Sequence, residues 1–343
     1  MNCRISILVI VLLIITRPTF SIDFEDYDDD VAALLREYQN QSNPDQSFTP
    51  SILSYSTAKT SQTIVDFERG IIYMNASTPE TLRDAIIDVV LTQIDPSVID
   101  AQTAIDFGLV NEETNKPFFW GQVLDHKGRP ISSRRPALDF ANFLLRKKTF
   151  SDGRFEVTIR MIDAHKKIAG AKYVSFVKAA CREYGVSSSL VMAIMETESS
   201  FNPLARSRSN ALGLMQVKAN TAGRDYFSLI KGYKHTPSST FLYSPKNNIE
   251  VATGYLNILS SRYLQGIKDP KKLEYAMISS YNGGAGNLWK SLDKSGNKTK
   301  ALRRINQMST KQFYWFLTNR HIRKETRDYL KKVNDRKRKY TLI

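Results

Sequence analysis

In the stretch 187–217, SSSLVMAIMETESSFNPLARSRSNALGLMQV, one acid is placed for chemistry. Leu190, Val191, Ile194 and Met195 recur at the spacing of one helical face, and Glu198 falls on that face four residues after Ile194. Glu196 lies about 200° around the wheel from Glu198 and is expected to face outward. Pro203 disfavours helical geometry at Asn202, so the helix is expected to stop there, with Glu198 in its last turn. Apolar surroundings and the negative end of the helix dipole both raise the proton affinity of a carboxylate. A carboxyl group that keeps its proton near neutral pH is what a general acid requires. On its own, an acid near a helix end is more often solvated decoration.

The sequel changes that balance. E-S-S-F-N-P is followed by Ser207, by G-L-M-Q at 213–216 and by S-Y-N-G-G at 280–284. These motifs, in this order, resemble the lysozyme-like domain of lytic transglycosylases. Upstream, FFWGQVLDHKGRPI and the helix LDFANFLLRKK resemble the N-terminal domain of the membrane-bound lytic murein transglycosylase C family. The resemblance implies an α+β N-terminal domain followed by an all-α lysozyme-like catalytic domain. It also implies cleavage of the β-1,4 bond between N-acetylmuramic acid and N-acetylglucosamine in peptidoglycan. Glu198 then matches the catalytic acid/base, and Ser207 and Tyr281 match hydroxyls lying near it. Met215 and Gln216 match groove residues, Asn282 matches the residue after the tyrosine, and Tyr329 in ETRDYL matches the tyrosine of a final motif.

Each of these residues has an ordinary structural role as well. A loop serine such as Ser207 is commonly a turn residue, and Met215 is as apt for core filling as for a sugar-facing wall. Gln216 offers a donor and an acceptor for acetamido groups. Tyr281 could bond Glu198 or simply pack amphipathically. Gly213 permits close backbone approach, or merely a turn.

Ordinary glycoside hydrolysis requires two carboxylates. Between Ser199 and Val217 there is no Asp or Glu, whereas Asp225 and Glu250 farther on remain open as partners. One acid suffices if the substrate brings its own nucleophile. The C6 hydroxyl of N-acetylmuramic acid can attack its own anomeric carbon and close a 1,6-anhydro ring, with Glu198 acting first as acid and then as base. The alternatives are a hydrolytic muramidase on the same fold and a non-catalytic cell-wall binding protein.

The elements that must position these residues follow from length and pattern. At 343 residues, 42% hydrophobic and 24% charged, the chain is long enough for two globular domains. The apolar run 5–15 reads as an export signal ending at Ser21, too short for a membrane span. The expected division is a signal over 1–21, a mixed domain over 22–165 and the catalytic domain over 166–343. In the mixed domain, acids at 23–30 favour an exposed turn, before a helix over 31–38 and a loop over 39–50. TIVDF and IIYMN flank Glu68-Arg69-Gly70 as a hairpin, Thr78-Pro79-Glu80 opens a helix to about Ile94, and 118–124 suggests another strand pair. Asp125 and His126 read as turn filling and Trp120 as core. Beyond residue 168 the patterns are helical, and the basic run 331–340 reads as a solvated tail.

A formal charge of +15, or +15 − 2 = +13 without Arg4 and Arg17, favours acidic partners. Peptidoglycan glycan strands are the expected partner. Membrane association is admitted, and nucleic acid is disfavoured because no recognition motif accompanies the charge. The chain is expected to be exported to the periplasm. No cysteine closes the apolar run, which argues against a lipid anchor. Cys181 reads as a buried hydrophobe, and neither metal nor cofactor is expected.

Overall fold

A computed structural model describes residues 49–57, 60–92 and 116–342. The expected signal, acidic turn and first helix lie outside these, and so does Ile94, the expected end of the helix opened at Thr78.

The first part is an antiparallel sheet with two helices. Strands β1 (Ile52–Thr57), β2 (Ser61–Asp66) and β3 (Ile71–Ala76) form a meander, and β4 (Thr149–Ser151) and β5 (Arg154–Arg160) extend it in the order β1-β2-β3-β5-β4. Helix α1 (Pro79–Leu91) begins where Thr78 accepts a hydrogen bond from the Thr81 amide (3.1 Å), with proline in its first turn. With α2 (Arg134–Leu145) it buries Leu82, Ile86, Phe140 and Ala141 together with Val65, Ile72, Met74, Val157 and Ile159. The predicted hairpin at Glu68-Arg69-Gly70 is present. Asp66 accepts from the Glu68 and Arg69 amides, and Gly70 has φ +70°. A side chain at Gly70 would come within 2.8 Å of the His165 ring, which bonds the Phe67 carbonyl (3.1 Å) and clamps the hairpin.

The strand pair expected at 118–124 does not form. The segment makes turns with isolated bridges, because buried Asp125 accepts from the Lys127 and Arg129 amides and from the Arg129 guanidinium, which bends the chain. Trp120 is half-buried under the Lys116 ammonium, 3.7 Å from its ring centroid, rather than in the core.

From His165 the chain is mainly helical: α3 (His165–Ala171), α4 (Val174–Tyr184), α5 (Ser188–Ser199), α6 (Ser239–Tyr243), α7 (Pro245–Ile258), α8 (Pro270–Gly283), α9 (Ala285–Leu292), α10 (Lys298–Gln307), α11 (Thr310–Arg320) and α12 (Lys324–Lys337). Two features depart from an all-helical expectation. Strands β6 (Ala211–Leu212) and β7 (Val217–Lys218) form a small hairpin, and 219–231 runs through π and α turns. One continuous core joins α4, α5, α7, α8 and α12. Cys181 is buried in it and free; burial pushes its thiol up, so it is a packing residue.

The basic C-terminus is not a solvated tail. It forms α12 and a short 3₁₀ turn (Arg338–Tyr340) that lie against α5, with Leu330, Val333 and Tyr340 buried. Apolar positions three and four apart among the lysines and arginines give it a packing face.

Candidate active site

Helix α5 is buried on more than one side. Leu190, Val191, Ile194 and Met195 face one part of the core and Met192 and Ala193 another, so a position 200° from Glu198 is also inside. Glu196 accordingly points away from Glu198, as expected, but not into solvent: it is 0% exposed. Its carboxylate accepts from Tyr340 Oη (2.7 Å) and Lys339 Nζ (2.8 Å), with Arg336 Nε at 3.6 Å. The expectation of an outward Glu196 fails because α12 supplies cations that a single-helix wheel does not contain.

The helix ends at Ser199, three residues before Asn202. Ser200 and Phe201 both take left-handed backbone, φ +52° and +68°. Such residues cost of order 1–2 kcal/mol each unless their surroundings hold them. Here the Ser200 hydroxyl donates to Glu68 and the Phe201 ring is buried against Gly170. Ser199 Oγ donates to the Leu214 carbonyl (2.8 Å), which ties the end of α5 to the G-L-M-Q turn.

Glu198 stands in that last turn, partly exposed. Tyr329 Oη of α12 donates to its Oε1 at 2.7 Å. Burial pushes the carboxyl up to about 7. The Tyr329 hydrogen bond and the Lys218 charge oppose that rise, and the Glu325 charge adds to it. The group is thus balanced between acid and base near neutral pH. Tyr329 itself is driven well above its ordinary value by burial and by the Glu198 charge, so it acts as a neutral donor.

The other candidates divide. Tyr281 does not hydrogen-bond Glu198; its hydroxyl donates to the Met215 carbonyl (2.7 Å). It is nonetheless close enough for the Glu198 charge to help burial push its phenol far up. Met215 forms no apolar wall, because its side chain is 0% exposed in the core and only its backbone faces Tyr281 and Asn248. Ser207 closes a turn, its Oγ accepting from the Ala211 amide (3.0 Å) and lying 3.2 Å from Ser209 Oγ, rather than orienting Glu198. Gln216, at φ +49°, donates from Nε2 to the Ala205 and Gly213 carbonyls (3.1 Å each), while its buried Oε1 has no partner among the described residues. Asn282 accepts from Thr326 Oγ1 (2.7 Å) and donates to Glu325 Oε1 (3.3 Å), joining S-Y-N-G-G to E-T-R-D-Y-L.

Gly213 has the physical warrant the motif demands. At φ +72° a Cβ would run into the Asn248 amide and come within 2.7 Å of the Leu242 carbonyl. Asn248 itself donates to the Leu212 and Leu242 carbonyls and accepts from the Met215 amide, so the turn is locked by one buried amide.

Asp225 and Glu250 are engaged elsewhere. Asp225 accepts from Tyr263 (2.9 Å), and Glu250 accepts from Tyr226 (2.5 Å) and Lys231 (3.1 Å). The carboxylate whose charge reaches Glu198 is Glu325, which the sequence reading passed over although it opens the motif that holds Tyr329. Lys218, two residues past Gln216, was passed over as well. Among the described residues no group of three or more His, Cys, Asp or Glu could hold a metal ion, and no helix is long and apolar enough to cross a membrane.

Comparison with known proteins bears on the family of the chain. The family described as "Transglycosylase SLT domain" matches residues 175–303, and "Membrane-bound lytic murein transglycosylase C, N-terminal domain" matches 32–172. The chain is 41% identical over 301 residues to membrane-bound lytic murein transglycosylase C of Edwardsiella ictaluri, spanning 85% of this chain and 82% of that one. It is 42% identical over 285 residues to the protein of that name from Salmonella typhi, spanning 80% and 78%. Among solved structures, the 70 kDa soluble lytic transglycosylase of Escherichia coli is 24% identical with a TM-score of 0.37, over 48% of this chain and 23% of that one. The lytic transglycosylase Slt of Pseudomonas aeruginosa is 22% identical with the same coverage and TM-score. An α+β region followed by a helical, lysozyme-like transglycosylase region, with family matches along both, places the chain in the membrane-bound lytic murein transglycosylase C family.

Proposed function

We propose that this protein cleaves peptidoglycan as a lytic transglycosylase, cutting between N-acetylmuramic acid and N-acetylglucosamine with Glu198 as its one acid/base and leaving a 1,6-anhydromuramic end. The observation that carries this reading is the poise of Glu198 near pH 7 with a neutral phenol, Tyr329, on its Oε1. Below that value the carboxyl is protonated and gives its proton to the glycosidic oxygen. Once ionised, it accepts the C6 hydroxyl proton as the ring closes, while Tyr329 holds it in place. Such transfers contribute about 10²–10⁴-fold each. Gln216 Oε1 is an enclosed acceptor with no partner among the described residues, which an acetamido N–H of the sugar would satisfy once the turn opens. Tyr281 fixes the Met215 carbonyl and so shapes the turn that presents Gln216. The site of action is the periplasm, after export, with association at the membrane.

Glu325 supports the one rival, hydrolysis by a water activated on a second carboxylate. Its side chain is 67% exposed and paired with Arg323 (3.1 Å), a setting that favours a solvated base less than an electrostatic neighbour. Mass spectrometry of products from digested peptidoglycan decides between them. Transglycosylation yields muramic ends one water lighter than reducing ends, and reducing ends throughout would refute the proposal. Glu198→Gln is expected to lower the rate by at least about 10²–10⁴.

A further inference from the structure

Helices α10 and α11 frame an open cavity of about 690 Å³ lined by Arg304, Gln307, Met308, Lys311, Gln312, Trp315 and Phe316, none of them a residue placed around Glu198. Trp315 is 54% exposed, a large apolar ring left open on an outer helix face that is otherwise polar (Lys311, Gln312, Asn319 and Arg320). The Arg320 guanidinium sits 5.7 Å from its centroid, and that of Arg304 lies 5.2 Å from the Phe316 ring. The sequence around it is basic: 294–324 carries nine Lys and Arg (294, 298, 300, 303, 304, 311, 320, 323 and 324) and no Asp or Glu, with Arg323 and Lys324 paired to Glu325 and Asp328 just beyond it.

We infer that this cavity is a second binding site for peptidoglycan, in which Trp315 stacks on an N-acetylated sugar and the surrounding cations meet the carboxylates of its peptide substituents. The inference rests on the peptidoglycan reading above and extends it to a surface with no part in the bond cleavage. A flat indole is the side chain best suited to the apolar face of a pyranose. Gln307 and Gln312 supply amides at the rim. Gln312 uses its carbonyl to accept the Ser309 amide (2.8 Å) in the cap of α11, which leaves its NH₂ group as donor. An anionic lipid surface would also be drawn by nine cations. It would be met by several apolar side chains standing out together, however, whereas here a single exposed ring is flanked by the amides of Gln307 and Gln312. Such a site would hold the enzyme on the polymer between cuts, raising the local concentration of glycan at Glu198 without new contacts there.

The test uses the full chain carrying Glu198→Gln, so that binding is read without digestion. Co-sedimentation with intact sacculi is compared for this protein, for the same protein with Trp315→Ala, and for the same protein with Lys311→Glu. Trp315→Ala is expected to weaken binding about 5- to 20-fold. Lys311→Glu, an exposed change that leaves packing intact, is expected to weaken it a few-fold at low salt and hardly at all at high salt. Stripping the stem peptides from sacculi leaves one lactyl carboxylate per muramic residue in place of the peptide carboxylates, so it should reduce the Lys311 effect and keep that of Trp315. Vesicles of phosphatidylglycerol and phosphatidylethanolamine serve as the other arm. Sacculus binding unchanged in both variants overturns the inference, and so does a loss confined to the vesicles, which would make the face a membrane contact. The parent chain's products test Glu198 separately. Trp315-dependent binding alongside absent cleavage would sink the catalytic reading and leave the site on glycan.

Discussion

Glu198 is governed by three neighbours whose signs differ, which makes its chemistry testable by pH. The Tyr329 hydroxyl favours the ionised carboxylate, so Tyr329→Phe is expected to raise the pKa above about 7 and carry the alkaline limb of kcat/KM upward. The Glu325 charge favours the proton, so Glu325→Gln is expected to move the same limb down. Opposite shifts in two pH–rate profiles would be hard to produce by general damage; shifts in one direction would contradict the assignment. The same carboxyl bears on stability. Because its folded-state value lies above the ordinary 4.5, the stability tied to its proton is complete below about 4.5 and is lost as pH rises through about 7. Glu198→Gln is therefore expected to raise the melting temperature at pH 8, by on the order of 1–3 kcal/mol of stability, and to change little at pH 4. Equal melting curves at both pH values would show Glu198 to be freely solvated.

At the scale of elements, α5 is held from both ends of the sequence. Glu68 in the β2–β3 hairpin accepts from Lys166 (2.6 Å), Arg336 (2.8 Å) and Ser200, and Arg336 also donates to the Glu196 carbonyl (2.6 Å). The sheet, the left-handed turn after Glu198 and α12 thus share one ionic junction two residues from the candidate acid. Arg336→Ala leaves Glu196 buried with less compensation and is expected to destabilise by roughly 3 kcal/mol in denaturant melts. Burial pushes Glu68 up, yet the Lys166 and Ser200 hydrogen bonds and the Arg336 charge outweigh it and hold the carboxyl below its ordinary value. Its stabilisation is present above the unfolded value near 4.5 and lost as pH falls through the lower folded one. Acid melts of the parent should accordingly lose stability below about pH 4.5 more steeply than those of Glu68→Gln, and coincident curves would count against the junction.

Over the whole molecule, the +15 charge is not spread evenly. Part is consumed internally where α12 covers Glu196 and Glu68, and part is gathered at 294–324, where among the described residues only Arg323 and Lys324 are paired with acids, just beyond the run. Attraction to an anionic polymer should then fall with ionic strength while the folded core, whose buried pairs are screened far less, holds. Sacculus binding that weakens from low to high salt at an unchanged melting temperature is the expected outcome.

The order of the motifs determined the family, and local chemistry determined much of the frame. The Thr78 cap, the Gly70 hairpin, the helix carrying Glu198 and the glycine of G-L-M-Q follow from rules that act within a few residues. These rules do not reach contacts between distant segments. Tyr329 stands 131 residues from Glu198, and only packing of α12 against α5 brings its hydroxyl to the carboxylate, while Tyr281 is turned to Met215 instead. Glu196 looked exposed, and the basic C-terminus looked solvated, for one reason: each was judged alone, and each is buried against the other. Position along the chain decided which residues could do chemistry. Which of them meet, and which acid is left to hold a proton, was decided by burial, which depends on what the rest of the fold lays over each face.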